Sequence, residues 1–235
     1  MKMVRLGNFL FRNRNDLLPV FYLGLFVPSR ELFADPQLAM LIGFLTTIAG
    51  QSLRVLTVGL ANIMRAHRKV YAEALVTRGI FAHCRNPLYL GHTMILGGLG
   101  IASNSVIFIF IFLPLFIFFY QAIVQAEEHY LRNEFGEDYE SYCRDVNRWT
   151  PNLKNIRGTV RKLKFNWRRV LLREYNFTFT WLNSAILITM KHFYLHDNQF
   201  DFNAALPFFV SLLAALLLLY SFARYLKKSR IVISD

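Results

Sequence analysis

Long apolar runs separated by short basic stretches constrain this chain more than any other feature. Six can be delimited: Leu17 to Val27, Gln37 to Leu53 (continuing past Arg54 through Val58), Leu88 to Ala102, Ser105 to Ala126, Phe177 to Leu195 and Ala204 to Ala223. A helix needs about 20 mostly apolar residues to cross the hydrocarbon layer, and a helix satisfies all of its backbone hydrogen bonds there. The predicted fold class is therefore all-α: a polytopic membrane helix bundle with about six transmembrane helices. The first run is short and broken by Pro19, and the third is short and glycine-rich. Composition agrees, because only 18 % of the 235 residues are charged and 54 % are hydrophobic, a lower charged share than a soluble chain of this size carries. Met1 to Asp16 is basic and polar, with no small-residue cleavage site ahead of the first apolar run, so no cleavable leader is expected.

The net charge of +12 would suggest nucleic acid in a soluble protein. Here it reads as topology. When the six runs are threaded in alternation, only Arg30 and Lys191 of the 27 Lys and Arg residues fall on the second side. The asymmetry predicts a cytoplasmic face that carries both termini and the basic loops, with no nucleic-acid partner. The two cysteines, Cys84 and Cys143, fall on that face and are expected as free thiols. No close-spaced His/Cys set suggests a metal site. Arg161 to Arg173, basic with Leu, Phe, Trp and Val between, reads as an amphipathic interfacial helix on anionic lipid.

Only Ala102 to Asn104 links the third and fourth runs. Such a tight turn forces an antiparallel helical hairpin. It brings Arg85-Asn86-Pro87 at the start of one helix to the same depth as Glu127-Glu128 near the end of the other. Asn is a strong N-cap and Pro suits the first helical position, so Asn86-Pro87 can be a plain cap. A helix N-terminus also attracts anions, and Tyr89 one turn in can line the same pocket. Gly97, Gly98 and Gly100 fit close helix packing or backbone contact with a ligand. Glu127-Glu128 is either a solvated pair or a negative site at the membrane boundary. Adjacent helical residues point about 100° apart, so one can face the hairpin while the other faces solvent. The helix is free to continue to Gly136, the natural stop. Beyond it, Tyr139 and Tyr142 share one face and Arg144 and Arg148 another, which suits a cap over the site. Ionisable residues cluster at one face and the mid-span regions are nearly uncharged, which argues against a transport pathway.

Two strings carry a family resemblance. The first runs Leu75-Val76-Thr77-Arg78-Gly79-Ile80-Phe81 and then Arg85-Asn86-Pro87-Leu88-Tyr89-Leu90-Gly91. After the hairpin come Glu127-Glu128, Leu131, Phe135-Gly136, Tyr139, Tyr142, Val146, Arg148 and Pro151. Over roughly Gln51 to Pro151 the chain resembles the integral-membrane methyltransferases that include isoprenylcysteine carboxyl methyltransferases and phospholipid N-methyltransferases. The resemblance implies S-adenosyl-L-methionine as methyl donor, a cytoplasmic cofactor pocket and a membrane lipid or lipidated acceptor. It implies cofactor contacts at Leu75, Val76, Phe81, Asn86, Pro87, Leu88, Tyr89, Gly98, Gly100 and Glu128, with Glu127 facing the acceptor as the catalytic residue and no metal. It divides the chain into N-terminal helices (1–63), a methyltransferase core (64–151) and a basic segment with two more spans (152–235). Two positions depart from the pattern. Many members have His where Asn86 stands, and Asn cannot titrate. Prenylcysteine enzymes carry an Arg where Ile123 stands, and a bidentate Arg–carboxylate contact has no substitute in Ile. The leading expectation is carboxyl O-methylation, as in isoprenylcysteine methyltransferases, with amine N-methylation of a phospholipid and a non-enzymatic membrane role on the same scaffold as the alternatives.

Overall fold

The computed structural model describes residues 2–60, 75–196 and 201–229. Among them the chain is all-α, with no strand: α1 (Lys2–Gly24), α2 (Pro36–Leu60), α3 (Pro87–Ala102), α4 (Leu113–Asp145), α5 (Ile156–Lys162), α6 (Trp167–His196) and α7 (Phe202–Lys228). A 3-10 turn, Gly79–Ala82, precedes α3, and a π-helical turn, Phe108–Phe112, leads into α4. The expected boundary between the first two units, and the basic residues Arg65, Arg68 and Lys69, lie outside the described residues.

Among the described residues three helical stretches are long and apolar enough to cross a membrane: Pro36–Leu60, Phe108–Asp145 and Phe202–Lys228. Pro87–Ala102 is apolar but shorter. The first and fifth expected spans are absorbed into longer, mixed helices. The apolar run after Leu17 is the second half of α1, whose first half carries Lys2, Arg5, Arg12, Arg14 and Asp16. The run from Phe177 sits in α6 behind Arg168, Arg169, Arg173 and Glu174. The helix expected over Arg161 to Arg173 is likewise two: α5 ends at Lys162 and α6 begins at Trp167. The break is held from outside, because the Asn166 N–H donates to the Gly59 carbonyl at 2.9 Å and the Phe165 ring fills the notch over Gly59.

Packing follows the small residues. Gly43 and Gly50 of α2 face Gly98 and Gly91 of α3 in antiparallel order, seven residues apart on each helix. A Cβ on Gly50 would meet the Gly91 carbonyl at 2.6 Å. Thr47 between them donates to the Gly43 carbonyl at 2.9 Å and to Ile95 O at 3.3 Å. Small residues drive such close approach in lipid, where apolar transfer between helices gains little. On the other side α1 runs antiparallel to α4, with Gly7 against the Ala122 backbone and Gly24 under the Phe112 ring. Phe21 meets Phe116 and Phe119 edge-on at 5.0 and 5.8 Å. Outward, α7 shows Phe208, Leu217, Leu218, Leu219 and Phe222, with Leu218 72 % exposed. Such a patch is a liability in water and the ordinary solvent face in a bilayer.

The turn between α3 and the π segment marks one end of the bundle. Asn104 takes φ 54°, a left-handed conformation Asn tolerates. Its side-chain oxygen accepts from the Leu32 and Phe33 N–H groups at 3.0 and 2.8 Å. The Val106 N–H donates to Arg30 O at 3.1 Å, and Lys191 Nζ reaches Ser103 O at 3.5 Å. Arg30 and Lys191, the two basic residues set apart by the charge pattern, therefore meet here. The hairpin carries the opposite helix ends to the other side, where the charged residues gather.

Candidate functional site

At that other end α3 begins on Pro87, with Asn86 before it. Asn86 does not cap through its side chain. Its Nδ2 donates to the Arg148 carbonyl at 3.3 Å, while its own carbonyl accepts from the Leu90 N–H at 3.0 Å. The N-cap reading is therefore corrected: the side chain holds a neighbouring segment instead of the helix end. Tyr89, two residues inside, donates its hydroxyl to Glu127 Oε1 at 2.8 Å.

Glu127 and Glu128 lie well inside α4, which carries on to Gly136 before its backbone turns out of helical geometry (φ 51°, ψ −122°). Glu128 is 3 % exposed. Arg148 grips it with two bonds, Nε to Oε1 at 2.9 Å and a terminal nitrogen to Oε2 at 2.6 Å. Arg85 and Arg132 stand at 3.7 and 3.9 Å. A carboxylate withdrawn from water survives only with such partners, and the paired planar geometry is the strong form of this contact. Neither glutamate is a solvated surface residue. Glu128 faces the guanidinium groups and Glu127 faces Tyr89, as their 100° separation allows.

Arg148 reaches Glu128 because α4 ends at Asp145 and Val146 turns extended (φ −123°, ψ 126°). Arg144 and Arg148 therefore do not share a helix face. Residues 146–152 fold back as a strap over residues 83–86. The Arg85 N–H donates to Asn147 O at 2.9 Å, the Asn152 N–H to His83 O at 2.8 Å and the Tyr142 hydroxyl to Phe81 O at 2.7 Å. Trp149 Nε1 donates to Gln121 Oε1 at 3.1 Å, which returns the strap to α4. Arg85 also points a terminal nitrogen at Cys143 Sγ. Cys84 is buried beneath the strap, and burial pushes its thiol pKa up.

The hairpin thus brings Asn86, Pro87, Leu88 and Tyr89 together with Glu127 and Glu128, and Tyr142 near the end of α4 ties Phe81 to the same end. Leu75 and Val76 are half-buried on the irregular approach to Gly79. Gly98 and Gly100 are not brought there. Gly98 lies 11 residues beyond Pro87, about 16 Å along the helix, with its open side against Gly43 and Thr47, while Gly100 packs on Phe108. Packing accounts for both.

Two further groups had no reading in the sequence. Tyr22, His92 and Tyr120 form a buried polar chain, with Tyr22 Oη 3.1 Å from His92 Nε2 and the Tyr120 hydroxyl at His92 Nδ1. Tyr120 meets the Tyr89 ring edge-on at 4.7 Å, so this chain borders the Glu127 contact. Arg54 and Glu174 form a second group, a buried ion pair between α2 and α6. A lone Arg in an apolar run and a lone Glu in a basic, aromatic stretch were the available signals.

These features define an α-helical protein made for the membrane, with one strongly charged, strapped-over site at a single end of its bundle. Residues 38–138 match the family model described as phospholipid methyltransferase, which lies in the superfamily that the two strings resemble. The match points to a membrane methyltransferase, and it stops before α5, α6 and α7. The chain is 32 % identical over 84 residues to the nickel-cobalt-cadmium resistance protein NccN of Alcaligenes xylosoxydans xylosoxydans, covering 36 % of this chain and 39 % of that protein. It is 30 % identical over 112 residues to the cobalt-zinc-cadmium resistance protein CzcN of Cupriavidus metallidurans, covering 46 % and 51 %. The matched stretches span about half of these relatives or less. No solved structure matches the chain. Among the described residues no group of three or more His, Cys, Asp or Glu is arranged to hold a metal ion.

Proposed function

We propose that this protein is an integral-membrane methyltransferase that uses S-adenosyl-L-methionine to methylate a lipid or lipidated acceptor, at the end of the bundle where Glu127 and Glu128 meet α3. One observation carries the reading: inside the segment that matches phospholipid methyltransferases, a buried Glu128 is held among arginines beside the Tyr89–Glu127 pair. The charge distribution supports a cytoplasmic face for this site and for both termini.

The residues suit the donor. Its ammonium and sulfonium groups are cationic and its carboxylate is anionic. Glu128 answers the first, and Arg85 and Arg148 the second. Arg85 Nε is buried without a hydrogen-bond partner, a costly state that an anionic ligand relieves. Asn86, Pro87, Leu88 and Tyr89 wall the pocket, with Leu75, Val76 and Phe81 toward the adenosyl side. Gly98 and Gly100 stay outside it. When bound, the donor supplies a methyl group already activated for displacement. The protein contributes alignment and exclusion of water from the nucleophile. Glu127, oriented by the Tyr89 hydroxyl, takes the proton that an amine acceptor must lose. An amine acceptor is favoured over a carboxylate because Ile123 is fully buried and brings no cation to α4.

The test is donor binding by purified protein, followed by incubation with methyl-labelled donor and membrane lipid extract. Base-stable label in the lipid fraction is the expected product, and base-labile label would mark an ester instead. Glu127→Gln is expected to cut turnover at least tenfold with donor binding kept, and Glu128→Gln to weaken donor binding at least tenfold. Absence of donor binding, or full activity with both glutamates changed, overturns the reading.

A further inference from the structure

Arg54 uses every nitrogen of its guanidinium. Nε and one terminal nitrogen each donate at 2.9 Å to the two oxygens of Glu174, and the other terminal nitrogen donates to the Leu88 carbonyl at 3.0 Å. Arg54 is 5 % exposed and Glu174 2 %. The guanidinium carbon lies 3.9 Å from the centroid of Phe177, whose ring meets His92 edge-on at 4.3 Å. The Arg54 side chain passes over bare backbone at Gly91, where a Cβ would meet its Cγ at 2.6 Å. A pair this deeply withdrawn from water gives little net stability relative to apolar residues of the same volume. Its geometry is instead that of a tie. It joins α2, the first turn of α3 and α6, and Leu88 stands next to Tyr89, which orients Glu127.

We infer that Arg54 and Glu174 are positioning residues that set the first turn of α3, so that α6, outside the matched segment, is part of the site's construction. The inference rests on the proposed methyltransferase reading for its consequence, though not for its geometry. Glu174 orients Arg54, and the third guanidinium arm fixes the Leu88 carbonyl. Tyr89 and Glu127 are thereby held where an acceptor must meet the donor. Lys cannot replace this arrangement, because an ammonium lacks the planar fork that serves two carboxylate oxygens and a third acceptor at once.

The discriminating variant is the apolar double exchange Arg54→Met with Glu174→Leu, compared with Arg54→Lys and with the parent. The double variant is expected to melt within a few degrees of the parent while the backbone amides of Leu90 to His92 exchange at least tenfold faster. Turnover is expected to fall at least tenfold with a smaller change in donor affinity. Arg54→Lys is expected to fall between the two on both scales. Unchanged exchange and unchanged turnover in a folded double variant overturn the inference. A double variant that fails to fold leaves the decision to Arg54→Lys, for which parent-like exchange and turnover overturn it equally. A parent that binds no donor sinks the functional reading alone, and the exchange rates still decide the tie.

Discussion

Gly98→Ala and Gly97→Ala, neighbours on one helix, should move stability in opposite directions. In a helix interior the change from Gly to Ala favours folding by about 1 kcal/mol. At Gly97 that gain is free to appear, because the added Cβ meets only Leu113 methyl carbons at 3.6 and 3.7 Å, an ordinary contact. At Gly98 the same atom would stand 2.5 Å from the Gly43 carbonyl oxygen and 2.7 Å from the Thr47 nitrogen. Both belong to the α2 backbone and cannot rotate aside, so the helices must part by about 1 Å to restore ordinary contact. Overpacking of this kind costs about 1–3 kcal/mol, more than the propensity gain. The propensity gain is common to both variants, so they should differ by the overpacking cost alone, about 1–3 kcal/mol, or about 2–12 °C in melting temperature by the scaling of domains this size. The assay is thermal unfolding in a fixed detergent without donor, with donor binding measured well below the transition. Two variants that melt alike would refute the packing seam. A Gly98→Ala protein that melts like the parent but loses donor binding would show that Gly98 faces the ligand, as the family resemblance implied.

Two other perturbations read the strap. Gly136→Ala meets nothing within 4 Å, yet its φ of 51° with ψ −122° is open to Gly only. The cost of about 1–3 kcal/mol for that backbone should appear as faster hydrogen exchange in residues 137–151, and unchanged exchange there would contradict the assigned kink. Cys84 is fully buried and its raised thiol pKa holds it protonated at neutral pH. Maleimide at pH 7 should therefore modify Cys143 well before Cys84, with Cys84 reacting only on unfolding, as peptide mass mapping would read. Equal labelling in the folded protein would mean that the strap does not cover Cys84.

What the sequence made legible is what local rules determine. The hairpin follows from two apolar runs and a three-residue link, so the meeting of Tyr89 with Glu127 could be anticipated from length alone. The overrun of α4 past the acidic pair follows from the absence of Pro and Gly between Glu127 and Phe135, and the kink at Gly136, where the sequence suggested a stop, from the freedom of that residue at positive φ. The strap was only half legible. A helical continuation through Arg148 has good periodicity, and the chain gives it up because Arg148 gains a bidentate bond to a buried carboxylate by leaving. Such a choice is made between distant residues, which no window of local sequence contains.

Arg54 shows the same limit from the opposite direction. Its charge was counted toward the cytoplasmic loops, and the count works equally well if Arg54 is buried, since the asymmetry rests on the remaining basic residues. Topology rules are silent about whether a given charge is solvated or spent inside the bundle. The distinction lies in the partner: a Glu 120 residues later, within a stretch otherwise basic and aromatic, has no reason to be there for solubility or for lipid binding. An acidic residue that interrupts a basic boundary segment, matched with a basic one that interrupts an apolar span, is thus a usable signal for a buried tie. In this chain it points to the ion pair that ties α6 to the first turn of α3.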